Sequence, residues 1–445
     1  MRIFFLSIVL FILPVMTMGE LYSQKFFPYE YEKFQLNNDF TAYLIPVKGS
    51  GLVAYYSIVR TGSRDEYEPG RSGFAHFFEH MMFRGTKRFP GPVYDKIMTE
   101  MGADANAYTT DDLTAYHMVV PNTYLEKVMD LESDRFMNLS YDELEFKTEA
   151  GAVYGEYRKN RTNPFSVLIE ELQNLAFDYH TYKHTTMGFE TDIKNMPNLY
   201  DHSKIFFQHY YRPENVVLLI VGDFDINSAK ILIQKYYSSW TPGYVPPQIQ
   251  TEPPQQAERF KEVKYEGKTL PILWVAYKGD AFQPNDQMLA ACSLLGDLAF
   301  GENSAIYKKL VIDEQKVQFL ENWFPINRDP KLLNIYCMIK DEKDIHYVRE
   351  EIDRTTEKFK NELVEPLALE NMKKRVRYSF LMDLDTPDHI AGNLARFVAV
   401  TGSLEKLDTY YQRIDSVTLE DIKAAANKYF QTIRRTTILL KGENE

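Results

Sequence analysis

Five of the fifteen residues from Trp240 to Pro254, WTPGYVPPQIQTEPP, are proline. Each proline fixes its own φ and lacks an N–H, so this stretch suits neither a helix nor the middle of a sheet and should run extended. It divides the 445-residue chain into two parts, each long enough to bury a core of its own. The parts also end alike. HYYRPENVVLLIVGD closes the first and KYFQTIRRTTILLKGE the second: a helix end, a short turn, an apolar strand, then glycine. Gly222 and Gly442 lie 220 positions apart, as expected if one domain were duplicated. The expected layout is a first domain over 20–240, a Pro-rich linker over 241–258 and a second domain over 259–445.

Short apolar runs such as Gly51 to Val59 and Val216 to Val221 read as strands. Longer mixed segments read as helices: Tyr94 to Met101, Pro121 to Asn138, Asp142 to Lys159 and Asp344 to Leu363. Strands and helices do not alternate strictly, which points to an α+β class with helices packed on a largely antiparallel sheet in each of two related domains.

A hydrophobic fraction of 44%, with 31 Tyr and 29 Phe, excludes extended disorder. A net charge of -12 leaves no basic face for a phosphate backbone, so no nucleic-acid partner is expected. The opening MRIFFLSIVLFILPVMTMG places one Arg before a short apolar run and then small or polar residues, the pattern of a signal peptide over 1–19. Export follows, to a periplasm in the simplest case, with secretion or an uncleaved anchor as alternatives. No later stretch is long and apolar enough to span a membrane, so none is expected in the mature chain. Cys292 and Cys337 are the only cysteines, and either one disulfide or two buried thiols fits.

The segment SGFAHFFEHMMFRGT holds His76, Glu79 and His80. On a helix His76 and His80 lie four apart and project from one face, the spacing at which two imidazoles grip one zinc ion. Glu79 falls beside them, within reach of a water on that metal. The order H-x-x-E-H is the inverse of the commoner zinc-peptidase pattern. A third protein ligand is required, and DELEFKTEAGAVYGEYRK offers Glu143, Glu145, Glu149 and Glu156. Glu149 and Glu156 are seven apart and share a helix face, so one can bind metal while the other steadies a ligating histidine. His180 and His184 are also four apart but lack a helical pattern, and His117 sits in the alternating run LTAYHMVV as a strand histidine.

The run GSRDEYEPGRSGFAHFFEHMMFRGT resembles the active-site segment of the pitrilysin family of metallopeptidases, which includes mitochondrial processing peptidase and insulin-degrading enzyme. That resemblance implies one Zn2+ per chain held by His76, His80 and Glu156, Glu79 as general base, and Glu149 as a supporting carboxylate. GADANAYTTDDLTAY is similar to the family's substrate-binding edge strand, which implies peptide contacts at Asn106, Ala107 and Tyr108. Two homologous domains enclosing a substrate cavity, with peptides or unfolded segments as substrates, are implied too.

One part departs from the family pattern. Fully equipped members carry an Arg and a Tyr in the second domain that touch the substrate. In SAIYKKLVIDEQKVQFLEN, with Ile306 and Leu310 set on the family's leucines, Val311 and Gln318 stand in those places. Neither offers the donors an oxyanion needs, and Arg328 and Tyr336 are the alternative pair within this half. The expectation is a zinc-bearing subunit that works with a sister chain supplying Arg and Tyr. The alternative is a non-catalytic scaffold that keeps the fold.

Overall fold

The computed structural model describes residues 25–443, and the expected signal peptide lies outside the described residues. The first half contains strands β1 (Glu32–Gln35), β2 (Thr41–Pro46), β3 (Leu52–Val59), β4 (Asp104–Thr109), β5 (Thr114–Pro121) and β6 (Val216–Gly222). Its helices are α1 (Phe74–Met81), α2 (Gly91–Met101), α3 (Leu125–Asn138), α4 (Glu143–Asn160), α5 (Pro164–Ala176), α6 (Glu190–Asn195), α7 (Tyr200–Tyr210) and α8 (Ile226–Tyr237). The second half contains β7 (Arg259–Lys264), β8 (Ile272–Lys278), β9 (Val317–Trp323), β10 (Leu332–Ile339) and β11 (Arg435–Lys441). Its helices are α9 (Gln287–Phe300), α10 (Ala305–Tyr307), α11 (Ile345–Asn361), α12 (Pro366–Met382), α13 (Pro387–Thr401), α14 (Lys406–Ser416) and α15 (Leu419–Tyr429), and a π-helical turn spans Lys308–Asp313. The stretch 241–258 carries neither helix nor strand.

The two sheets share one topology. The first runs β1-β2-β6-β3-β5-β4 and the second β7-β11-β8-β10-β9. Removing β1 leaves the same order, and in each the first pair, β2 with β6 and β7 with β11, is parallel while every other pair is antiparallel. This is the α+β architecture of two related domains, and the similar chain endings at Gly222 and Gly442 close equivalent strands.

Each sheet has one face on its own half's helices and the other on a helix from the opposite half. In the first, one face packs into a core that includes Phe77, Phe78, Phe146 and Val153, while Tyr56, Ile58, Leu219 and Val221 on the other meet Ile390, Leu394 and Val398 of α13. In the second, Leu273, Val275 and Ile335 face α9, α11 and α15, while Ile272, Trp274, Ile438 and Leu440 meet Val167, Leu168 and Leu172 of α5. Helices α5 and α13 are repeat equivalents. Each opens on a proline after a side-chain cap, Asn163 on the Phe165 N–H and Thr386 on the His389 N–H. Strands buried on both faces read as continuous apolar runs, as VVLLIVG and ILWVAYK do.

The halves are further joined by charge. Arg64 lies 2.5 Å from Asp329, Arg328 lies 3.5 Å from Asp65, Asn327 donates to Asp112, and Lys331 pairs with Asp111. Cys292 and Cys337 are both free thiols buried in the second core, the second of the two alternatives open in the sequence.

Candidate metal centre

Gly73 precedes helix α1 with a φ of 92° that favours glycine, and an added Cβ would stand 2.6 Å from the Met187 carbonyl oxygen. The buried carboxylate of Glu66 accepts the N–H groups of Gly73 at 2.7 Å and Ala75 at 2.6 Å. It thereby satisfies orphan donors at the positive end of the helix. Phe74, Phe77, Phe78 and Met81 sink into the first core and fix the rotation of α1, which leaves His76, Glu79 and His80 on the remaining face.

Helix α4 supplies the acids. Asp142 caps it and Glu145 returns the bond to the Asp142 N–H, while Glu143 pairs with Lys147 on the surface. Of the four candidate carboxylates, Glu149 and Glu156 face α1. Glu156 Oε2 lies 3.4 Å from His80 Nε2 and 3.7 Å from His76 Nε2. Glu149 accepts from His80 Nδ1 at 2.9 Å and also from Arg84. Among the described residues, His76, His80 and Glu156 are the one group of three or more such donors whose atoms lie within 4.8 Å of one another.

Zinc fits this donor set. Bonds of about 2.0–2.1 Å to a tetrahedral ion put its ligand atoms about 3.4 Å apart, close to the two separations from Glu156. The electrostatics agree. Burial lowers the pKa of His76, which keeps a lone pair available, while hydrogen bonds that His80 gives to Glu149 and then Glu156 raise it to about 9. Both carboxylates are shifted down, chiefly by His80. The charges that hold a proton on His80 would equally hold a divalent cation between the rings. The Glu149 bond to His80 Nδ1 leaves Nε2 aimed at the metal position.

Glu79 is oriented from the sheet: Thr109 Oγ1 donates to its Oε2 at 2.6 Å. Thr109 ends β4, the outermost strand of the first sheet, which pairs with β5 on one side and keeps a free edge on the other. A cleft of about 360 Å³ bordered by Glu79, His80, Phe83 and Arg84 adjoins the cluster. On β4, Asn106 is exposed with its Oδ1 on the Ala107 N–H, and Ala107 packs toward the first core. The Tyr108 side chain lies on the opposite face, edge-on to His117, and burial raises it to about 12. Any contact of Tyr108 with a peptide on this edge is therefore through its backbone.

His180 and His184 do not form a metal pair. His180 bonds Asp329 at 3.0 Å and the Tyr182 N–H, and His184 is buried with Nδ1 on the Thr185 carbonyl. His117 stacks on Tyr56 within β5. In the second half Val311 lies in the π-helical turn against the second core and Gln318 is exposed on β9. Arg328 is held by Asp65 and the Arg60 carbonyl, and Tyr336 stacks on Trp274.

Three contributors went unread in the sequence: Glu66, Arg84 and Thr109. Arg84 lies four residues beyond His80, so a helical periodicity pointed at it, whereas Thr109, three beyond Asn106, alternates to the other face of the strand and was not marked. Nothing local pointed at Glu66.

Residues 53–190 match the model described as insulinase (peptidase family M16), and residues 199–376 match peptidase M16 inactive domain. The chain is 29% identical over 440 residues to the zinc protease PqqE of Helicobacter pylori, covering 96% of both. It superposes on the crystal structure of a protease from Helicobacter pylori with a TM-score of 0.87, at 27% identity, covering 93% of this chain and 99% of that one. The periplasmic protease PqqL from Escherichia coli shares the fold, with a TM-score of 0.76 at 19% identity over 93% of this chain and 48% of that chain. No helix among the described residues is long and apolar enough to cross a membrane. The two matched models, the inverted histidine motif and the shared two-domain fold agree, and the chain belongs to the M16, or pitrilysin, family of peptidases.

Proposed function

We propose that the chain is a zinc-dependent endopeptidase that hydrolyses peptides or unfolded segments, acting as the catalytic member of a pair with a sister chain. The carrying observation is the convergence of His76, His80 and Glu156 at ligand spacing, with Glu79 beside them and the free edge of β4 alongside. His76, His80 and Glu156 would hold one Zn2+, which when bound lowers the pKa of a coordinated water toward roughly 7 and polarises the scissile carbonyl. An extended peptide adds to β4 through backbone hydrogen bonds at Asn106, Ala107 and Tyr108. Glu79, aligned by Thr109, takes the proton of the attacking water and returns it to the leaving amine. Glu149, anchored by Arg84, keeps His80 oriented.

The pairing rests on the second half. With Ile306 and Leu310 set on the family's leucines, Val311 and Gln318 fall where its Arg and Tyr would stand, and Arg328 and Tyr336 are already engaged in an ion pair and in packing. That this chain matches about half of the longer PqqL protease supports a unit completed by a second one. We read 20–240 as the zinc-bearing domain, 241–258 as the linker and 259–445 as the second domain, exported to a periplasm after removal of 1–19. Metal analysis of the purified chain, with peptide cleavage measured alone and with a sister chain that carries the Arg and Tyr, tests the reading. One zinc per chain and cleavage that rises sharply on pairing are expected. Full activity of the chain alone would remove the pairing, and absence of zinc would remove the enzyme.

A further inference from the structure

A cleft of about 320 Å³ opens where the two halves meet, beyond the end of β4. Thr109 borders it by its position and orients Glu79 by its hydroxyl, and Asn160, which hydrogen-bonds Glu156, borders it too, so the cleft continues from the edge strand beside the metal cluster. Its carboxylates are already matched. Asp111 pairs with Lys331, and Glu170 lies 3.1 Å from Arg161 and accepts from Tyr157 at 3.0 Å.

Arg396, which reaches the same cleft from α13, is different. Its Nε and Nη2 donate to the Ile326 carbonyl at 3.1 and 2.9 Å and Nη2 to Asn327 Oδ1 at 3.3 Å, all neutral acceptors. Among the described residues no carboxylate lies within ion-pair distance of it, and although Asp111 feels its charge, the lining sets Arg161, Lys331 and Arg396 against Asp111 and Glu170 alone, an excess of one positive charge. On the α5 side Gln173 is 5% exposed and lines the cleft, and its Oε1 is covered and has no hydrogen-bond partner, so a turn of the side chain would present it to a bound peptide. A buried acceptor without a donor costs about 1–3 kcal/mol, and a peptide N–H is the donor such a site would take. Trp323, 40% exposed, adds an aromatic surface from the second half.

We propose that this cleft is a substrate subsite for a carboxylate carried by the bound peptide, with Arg396 opposite the carboxylate and Gln173 accepting a peptide N–H. The proposal rests on the peptidase reading above and names its preferred substrates: peptides acidic at a position flanking the scissile bond.

The test uses the full-length zinc-loaded chain carrying Glu79→Gln, so that bound peptides are not consumed, with Trp323 emission as readout and Trp323→Phe as its control. Matched peptides carry Glu, Gln or Lys at one position and an amidated C-terminus, and a further Gln peptide keeps a free C-terminal carboxylate. The Glu peptide should bind about tenfold more tightly than the Gln peptide, the size of one charge-assisted hydrogen bond. Arg396→Gln should abolish that ratio. Because Arg396 also holds the Ile326 carbonyl, Ser166→Glu provides a second route: it adds a carboxylate to the cleft in the first turn of α5, where a helix accepts one. It should reverse the ratio. An advantage confined to the free C-terminus supports the subsite and assigns the carboxylate to the chain end. Equal binding of the three amidated peptides without a C-terminal advantage, or preference for Lys, overturns it. Binding with the expected ratio but no cleavage once Glu79 is restored and a sister chain added would overturn the peptidase reading alone. Cleavage without a charge preference would overturn the subsite alone.

Discussion

Helices α4 and α12 occupy the same place in the two repeats, and their difference separates what the fold needs from what the chemistry needs. Each ends just before the proline that opens the exchanged helix, Pro164 or Pro387. Counting back fifteen and eight residues gives Glu149 and Glu156 in one half and Met372 and Ser379 in the other. Glu149 and Met372 are both 6% exposed, so a buried position on the corresponding helix steadies a histidine in the first repeat and fills a core in the second. Neither sheet order nor helix placement changes with that choice. The architecture tolerates both, and the chemistry resides in a few side chains placed on it.

The sharpest way to break the comparison is to make the first repeat resemble the second. Glu156→Ser should leave the fold unchanged by circular dichroism yet remove zinc from the dialysed protein and with it peptide cleavage. This loss should exceed the roughly 10- to 100-fold typical of a residue that only supports a ligand. Next, Glu79→Gln should retain one zinc while kcat falls by roughly 10²- to 10⁴-fold, and an active, zinc-bearing variant would end the assignment of the base. Third, Met372→Ala should cost roughly 2–5 kcal/mol in urea unfolding with zinc affinity untouched; a change in zinc affinity would mean the repeats are not chemically separate. Glu149→Gln should lower zinc affinity by roughly 10- to 100-fold, measured by competition with a chelator.

The smallest effect concerns the junction of the repeats. Burial pushes the Asp329 carboxyl up, but hydrogen bonds from His180 and Arg64 outweigh it and hold the group at about 2, below its ordinary 3.8. A carboxylate lowered on folding adds stability that is complete above about pH 4 and disappears as pH falls through about 2. Asp329→Asn should therefore cost about 1–2 kcal/mol near neutrality and narrow the gap between unfolding curves at about pH 6 and about pH 3. An unchanged gap would show that the junction does not depend on this charge.

Much of the metal centre was legible because helix geometry makes it local. Once α1 is a helix, four-residue spacing puts His76 and His80 together whatever surrounds them. Glu156 was harder: its distance from the motif is bridged by α2, β4, β5 and α3, and periodicity alone put it level with Glu149. Thr109 and Glu66 were not legible, since their bonds to Glu79 and to the start of α1 depend on how a strand end and a loop settle in three dimensions. Helices and strands were found to within a few residues, as at Asp142 to Lys159 against Glu143–Asn160. The exchange of α5 and α13 was not, because an amphipathic pattern says that a helix has an apolar side and not which sheet receives it.

That exchange bears on how the protein is made. Synthesis delivers all six strands of the first sheet by Gly222, but the helix that covers its outer face, Pro387–Thr401, follows only after the whole second sheet but its last strand. Until then Tyr56, Ile58, Leu219 and Val221 lack that helix, so the nascent first repeat carries an apolar surface of the kind a holding chaperone shields.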